Sequence, residues 1–227
     1  MAGATAKTLT IDAGHSTSVS ALLTAVRHPR ACFVFAHGAG AGMTHAFMEE
    51  VASGLAERDV ATLRYQFPYM EKRSRRPDPP AVAQATVRAA VESAARALPG
   101  LPLIAGGKSF GGRMTSQAQA KSALASVRGL AFFGFPLHPA GKPSDERAAH
   151  LDDVQIPMLF LQGTRDKLAE LDRLRPVIDR LGPRATLHLV DGADHSFHVP
   201  ARSGRNDAEV MDEILDTFVD WVEKVVA

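Results

Sequence analysis

Six short β-rich apolar runs recur along the chain, at 31–36, 60–65, 101–105, 127–133, 156–161 and 185–190. Several are apolar along nearly their whole length rather than at alternate positions, which predicts strands covered on both faces. The stretches between them carry helical periodicity. Phe47, Val51 and Leu55 recur every four residues, as one face of a helix requires. The alanine-rich stretch from Ala81 to Leu98 follows Pro79-Pro80, a helix start signal. Leu168, Leu171, Leu174, Ile178 and Leu181 outline a further helix closed by Gly182-Pro183. Val210, Ile214, Phe218, Trp221, Val222 and Val225 mark the last. Strands alternating with amphipathic helices imply an α/β architecture of three layers: a mostly parallel, twisted sheet with helices on both faces. Two earlier segments, near Lys7–Ile11 and Val19–Thr24, predict an edge hairpin around Gly14.

The whole chain, 1–227, is expected to form one domain, since 227 residues suffice for a sizeable core and no linker splits them. A formal charge of +1 recommends neither nucleic acid nor an anionic membrane as partner. One basic cluster, Lys72, Arg73, Arg75 and Arg76, lies in a Pro-rich stretch. It reads as a solvated loop, with recruitment of an anionic group as the alternative. Cys32 is the only cysteine and sits within a predicted strand, so it reads as an inert small hydrophobe. No apolar stretch approaches the roughly 20 residues of a membrane span, and no leader pattern opens the chain, so a cytoplasmic location is expected.

In such a sheet, ligands meet the loops at the carboxyl ends of the strands. Gly106-Gly-Lys-Ser-Phe-Gly-Gly112 lies between a predicted strand and a predicted helix, so Gly107-x-Ser109-x-Gly111 sits where a nucleophile elbow would. A serine hydroxyl needs an imidazole to take its proton, and the imidazole needs a carboxylate to fix its tautomer. Asp166, in Gly163-Thr-Arg-Asp166, and His195, in Asp191-Gly-Ala-Asp-His-Ser-Phe197, each follow a later predicted strand. Ser109, Asp166 and His195 are therefore the expected catalytic set. Each has a plainer alternative. Ser109 or Asp166 could cap a helix. Asp191 and Asp194 compete for the acid, and His37, His45 and His198 for the base.

A glycine-rich loop, His37-Gly-Ala-Gly-Ala-Gly-Met43, follows the first central strand. Acyl transfer puts negative charge on the carbonyl oxygen, and two backbone N–H donors can stabilise it. Phe110, the residue after the nucleophile, and Ala39, in this loop, are the candidate donors. Phosphate binding is the rival reading. It is weaker because the loop has no Gly-Lys-Ser/Thr after it, and Pro102 occupies the glycine position a P-loop would need before Gly107-Lys108-Ser109.

These elements together resemble the α/β-hydrolase superfamily, and more narrowly the small lidless serine hydrolases of the dienelactone-hydrolase-like branch. Phe67-Pro-Tyr-Met70, Gly107-Lys-Ser-Phe-Gly-Gly-Arg-Met114, Gly134-Phe-Pro-Leu-His-Pro139 and Asp194-His-Ser-Phe197 carry the resemblance, beside the glycine loop. It implies Ser109, Asp166 and His195 as nucleophile, acid and base. Dienelactone hydrolases proper use cysteine as nucleophile, so the serine here is a departure that counts against their lactone substrate. The stretch 134–155 is too short, at about twenty residues, for a cap domain. Together these readings imply a carboxylesterase for small soluble esters, needing no metal or cofactor. Met43, Phe67, Phe135 and Phe197 are candidates to line the acyl pocket. A thioesterase or peptidase using the same residues, or a non-catalytic scaffold, are the alternatives.

Overall fold

Alternate residues of the central strands belong to different cores. Cys32, Val34 and Ala36 pack with one apolar cluster, while Ala31, Phe33 and Phe35 pack with another on the opposite face. That division is why the strands are apolar throughout. The computed structural model describes residues 6–14 and 16–227. Its strands are β1 (Ala6–Asp12), β2 (Ser18–Thr24), β3 (Ala31–Ala36), β4 (Val60–Tyr65), β5 (Leu103–Lys108), β6 (Val127–Phe133), β7 (Met158–Gly163) and β8 (Ala185–Val190). They form one eight-stranded sheet in the order β1-β2-β4-β3-β5-β6-β7-β8. From β4 through β8 every neighbouring pair is parallel; the β1–β2 hairpin adds antiparallel strands at the β4 edge.

The helices are α1 (Ala46–Glu57), α2 (Pro68–Glu71), α3 (Pro80–Ala97), α4 (Phe110–Lys121), α5 (Leu171–Leu181) and α6 (Asp207–Val226). The first core takes Val87 and Val91 of α3, Met114 of α4 and Leu174 of α5. The second takes Val51 and Leu55 of α1 with Ile214, Phe218 and Val222 of α6. α3 begins with proline in its first turn, and α6 with a capping box between Asn206 and Glu209. The stretch 134–155 contains a single 3₁₀ segment, Glu146–Asp153, and no cap domain. Among the described residues no helix is long and apolar enough to cross a membrane.

Four of the six central strands span the expected residues, and two are displaced toward the carboxyl end. β5 runs from Leu103 to Lys108, not from 101 to 105. Gly106 and Gly107 extend the ladder opposite Ala131 and Phe132, although glycine itself argues against a strand. β7 starts at Met158 because Pro157 has no N–H to pair, and it continues through Gln162 and Gly163. α5 starts at Leu171 rather than Leu168. The Leu168 N–H donates to Asp166 Oδ1 at 2.8 Å, and its carbonyl accepts from Leu137 and His138, which holds it in a turn. Cys32 is fully buried, and burial pushes its thiol up to about 12. The basic stretch Lys72, Arg73, Arg75 and Arg76 is exposed.

Phe218 is fully buried, with its ring centroid 4.9 Å from Phe33 and 6.0 Å from Phe133. Phe218→Ala is therefore expected to lower unfolding free energy by about 3–5 kcal/mol in urea titration. A loss below about 1 kcal/mol would show that the second core does not pack as described.

Candidate active site

β5 ends at Lys108 and α4 begins at Phe110, so Ser109 makes the whole turn between them. Its backbone sits at φ 50°, ψ −112°, a conformation few non-glycine residues adopt. The flanking glycines make that turn sterically possible. A Cβ on Gly107 would lie 2.4 Å from the Ala36 carbonyl oxygen, and one on Gly111 would lie 2.5 Å from the same atom. Only bare backbone lets the elbow sit this close to the end of β3.

The hydroxyl so presented does not cap α4. Its Oγ stands 2.9 Å from His195 Nε2, and His195 Nδ1 stands 2.6 Å from Asp166 Oδ2. An ionised carboxylate only accepts, so Nδ1 carries the imidazole proton and Nε2 is left to accept from the serine. Asp166 is buried, and its two oxygens are fully engaged: Oδ2 also accepts from Gln162 Nε2, and Oδ1 from the Leu168 N–H. Gln162 in turn accepts from the Phe135 N–H at 2.9 Å. The three residues thus come together from the ends of β5, β7 and β8.

The competing residues are occupied elsewhere. Asp194 Oδ1 accepts from the N–H groups of Ser196 and His198, at 2.7 and 3.1 Å, and so shapes the loop that presents His195. Asp191 accepts from Thr164. His45 caps α1, and His198 is exposed and pairs with Asp207.

His37 is fully buried, with Nδ1 2.7 Å from the Gly38 carbonyl and Nε2 accepting from the Phe67 N–H at 3.1 Å. It thereby pins the root of the glycine loop to the segment after β4. Farther along, the Gly40 N–H donates to Tyr69 Oη and the Met43 N–H to Gln66 Oε1, at 2.9 and 2.8 Å. Ala39 lies between these ties and borders both cavities that meet at Ser109. The Phe110 N–H is the first of α4, with no preceding turn to supply an acceptor.

Lys108 gave no signal in the sequence beyond its place in the elbow. Its ammonium donates to the His195 carbonyl and lies 5.5 and 5.0 Å from the Phe47 and Phe197 ring centroids. Burial pushes its pKa down to about 8, partly opposed by the Asp166 and Asp194 carboxylates. Lys108, next to Ser109, thus anchors the backbone of His195.

The expected pocket residues are placed differently. Met43, Phe67, Phe135 and Phe197 are buried, and none borders the two cavities at Ser109. Phe67 packs against Tyr65 and Phe110, Phe135 against Phe132 and Phe160, and Phe197 against Phe47. The Met43 N–H and carbonyl hold Gln66 and Arg64. Large apolar residues at the ends of strands went to the core, as their size favours. The wall of one cavity, about 330 Å³, includes Ala41, Phe47, Met48, Lys108 and His195.

Burial holds His37 neutral and pushes its pKa from 6.5 down to about 4. The unfolded chain takes up that proton below about pH 6.5, whereas the folded chain resists until about pH 4. The contribution is complete above pH 6.5 and is lost on acidification, by an amount on the order of 3 kcal/mol. His150, half-buried and pushed down to about 4, adds a smaller loss in the same direction. Denaturant midpoints should fall between pH 6.5 and 4, and His37→Gln should flatten that fall. An unchanged slope in the variant would contradict the buried neutral imidazole.

The chain matches the family model described as an alpha/beta hydrolase domain over residues 29–223. Among solved structures, it is similar to a dienelactone hydrolase from Anabaena variabilis, with 17% identity, 98% of this chain and 99% of that one covered, and a TM-score of 0.80. A serine hydrolase without a lid from Xanthomonas campestris aligns at 20% identity over 95% and 94% of the two chains, TM-score 0.74. The esterase domain of a Rhodothermus marinus protein aligns at 16% identity over 98% and 100%, TM-score 0.74. At such identities the structural likeness speaks to the fold. The family assignment rests on the sequence model, which spans the elbow and the loops of Asp166 and His195: this chain belongs to the alpha/beta hydrolase domain family.

Proposed function

We propose that the protein is a serine carboxylesterase working through an acyl-enzyme. The observation that carries this reading is the continuous hydrogen-bonded line from Ser109 Oγ through His195 to Asp166, with distances of 2.9 and 2.6 Å. His195 Nε2 takes the proton as Ser109 Oγ attacks the ester carbonyl carbon. The Asp166 carboxylate stabilises the resulting imidazolium. The N–H groups of Ala39 and Phe110 receive the oxyanion. Collapse of the tetrahedral intermediate breaks the bond to the leaving oxygen, which takes the proton from His195. A water molecule, deprotonated by the same nitrogen, then attacks the acyl carbon and frees Ser109 with release of the acid.

Two further observations support small substrates. The cavities that meet at Ser109 measure about 330 and 430 Å³, and no cap domain covers them among the described residues. The elbow strain supports catalysis over a scaffold role, because a scaffold gains nothing from a serine held at φ 50°.

Ser109→Ala should fold normally and lose all labelling by a fluorophosphonate probe; retained labelling would put the nucleophile on another serine. Asp166→Asn should keep the fold and lower kcat on p-nitrophenyl acetate by roughly 10⁴. A loss of less than about tenfold would mean that Asp166 does not orient the base.

A further inference from the structure

Two guanidinium groups border the same cavity as Ser109, and among the described residues no carboxylate forms an ion pair with either. Arg113, in α4, and Arg147, in the 3₁₀ segment Glu146–Asp153, border the cavity of about 430 Å³ together with Ala39, Ser109 and Phe110. The Arg113 guanidinium lies 5.9 Å from the Phe110 ring centroid, and its Nε is buried without a hydrogen-bond partner among the described residues. Neither arginine forms an ion pair among the described residues. Both are half-buried, and burial weakens the hold of each on its proton; for Arg113 the nearby Arg147 charge adds to that effect.

Of the other polar side chains in the wall, Asp78 is tied through one carboxylate oxygen and His138 through both ring nitrogens. Asp78 Oδ2 accepts from the Tyr69 N–H at 2.9 Å. His138 is held between the Pro139 carbonyl and the Glu170 carboxylate. Like charges desolvated together are costly unless an anion joins them, and a planar guanidinium offers a carboxylate two parallel donors.

The cavity also has a definite place in the reaction. The leaving oxygen must face His195 Nε2 to receive its proton. His195 borders the 330 Å³ cavity with Phe47, Met48 and Lys108. The leaving group therefore belongs there, which directs the acyl part toward Arg113 and Arg147. Resting on the esterase reading, we propose that these two arginines form an anion subsite for the acyl group. The preferred substrates are then half-esters of dicarboxylic acids, bearing a free carboxylate at the far end of the acyl chain.

The test reads binding separately from turnover. In Ser109→Ala, calorimetry compares monomethyl glutarate with its neutral counterpart, dimethyl glutarate. The monoanion should bind about tenfold or more tightly, and that advantage should disappear in Ser109→Ala chains that also carry Arg113→Gln and Arg147→Gln. Arg113→Lys in the same background, which keeps the charge but loses the fork, should retain part of it. Equal binding of the two esters, no binding of the monoanion, or an advantage that survives both Gln substitutions would overturn the subsite. Fluorophosphonate labelling of the wild-type chain reports on the esterase reading alone. A chain that labels without preferring the anion loses only the subsite; one that prefers the anion without labelling loses only the esterase.

Discussion

The Ala36 carbonyl oxygen decides the architecture of this site. It lies where a Cβ on either Gly107 or Gly111 would need to be, 2.4 and 2.5 Å away. The end of β3 and the β5–α4 turn can approach so closely only because neither glycine has a side chain. That approach brings the glycine loop after β3 alongside Ser109. It also confines the serine to one strained conformation, with its hydroxyl directed toward the loops that follow β7 and β8. Everything the site does chemically depends on this steric fit.

Around the fit, the protein fixes each group through backbone contacts as well as side chains. Asp166 is held by Gln162 and the Leu168 N–H, His195 by the Asp194 turn and the Lys108 ammonium, and the glycine loop after β3 by His37 and Tyr69. Groups locked before the substrate arrives need no rearrangement when charge develops, and this is how preorganised dipoles lower a barrier. The helices supply the rigid backing: the two cores clamp the sheet from both faces, and the loops project from its carboxyl edge.

Much of this was legible in the sequence. The doubly apolar strands announced a sheet with helices on both faces, and the bounds of β3, β4, β6 and β8 followed from their β-branched and aromatic runs. The Ser, Asp, His order at the ends of three predicted strands singled out the three residues that the fold brings together. The end of β5 was hidden because glycine disfavours strands in general, and its fitness here depends on Ala36 and Ala131 across the ladder. Core and cavity-lining apolar residues could not be separated by type: Phe67, Phe135 and Phe197 went inward, while Phe47 and Met48 border the 330 Å³ cavity at Ser109. Lys108 and the pair Arg113 and Arg147 were equally silent, since a charge acquires its meaning from what surrounds it in space.

In the proposed mechanism Ser109 carries the acyl group between two half-reactions. Rapid quenching after mixing with p-nitrophenyl acetate, followed by peptide mass spectrometry, tests it directly. A burst of nitrophenol equal to one per chain is expected, with a single acetyl group on the peptide containing Ser109. Steady release without a burst, and without acetylated Ser109 under conditions where deacylation is slowed, would contradict it.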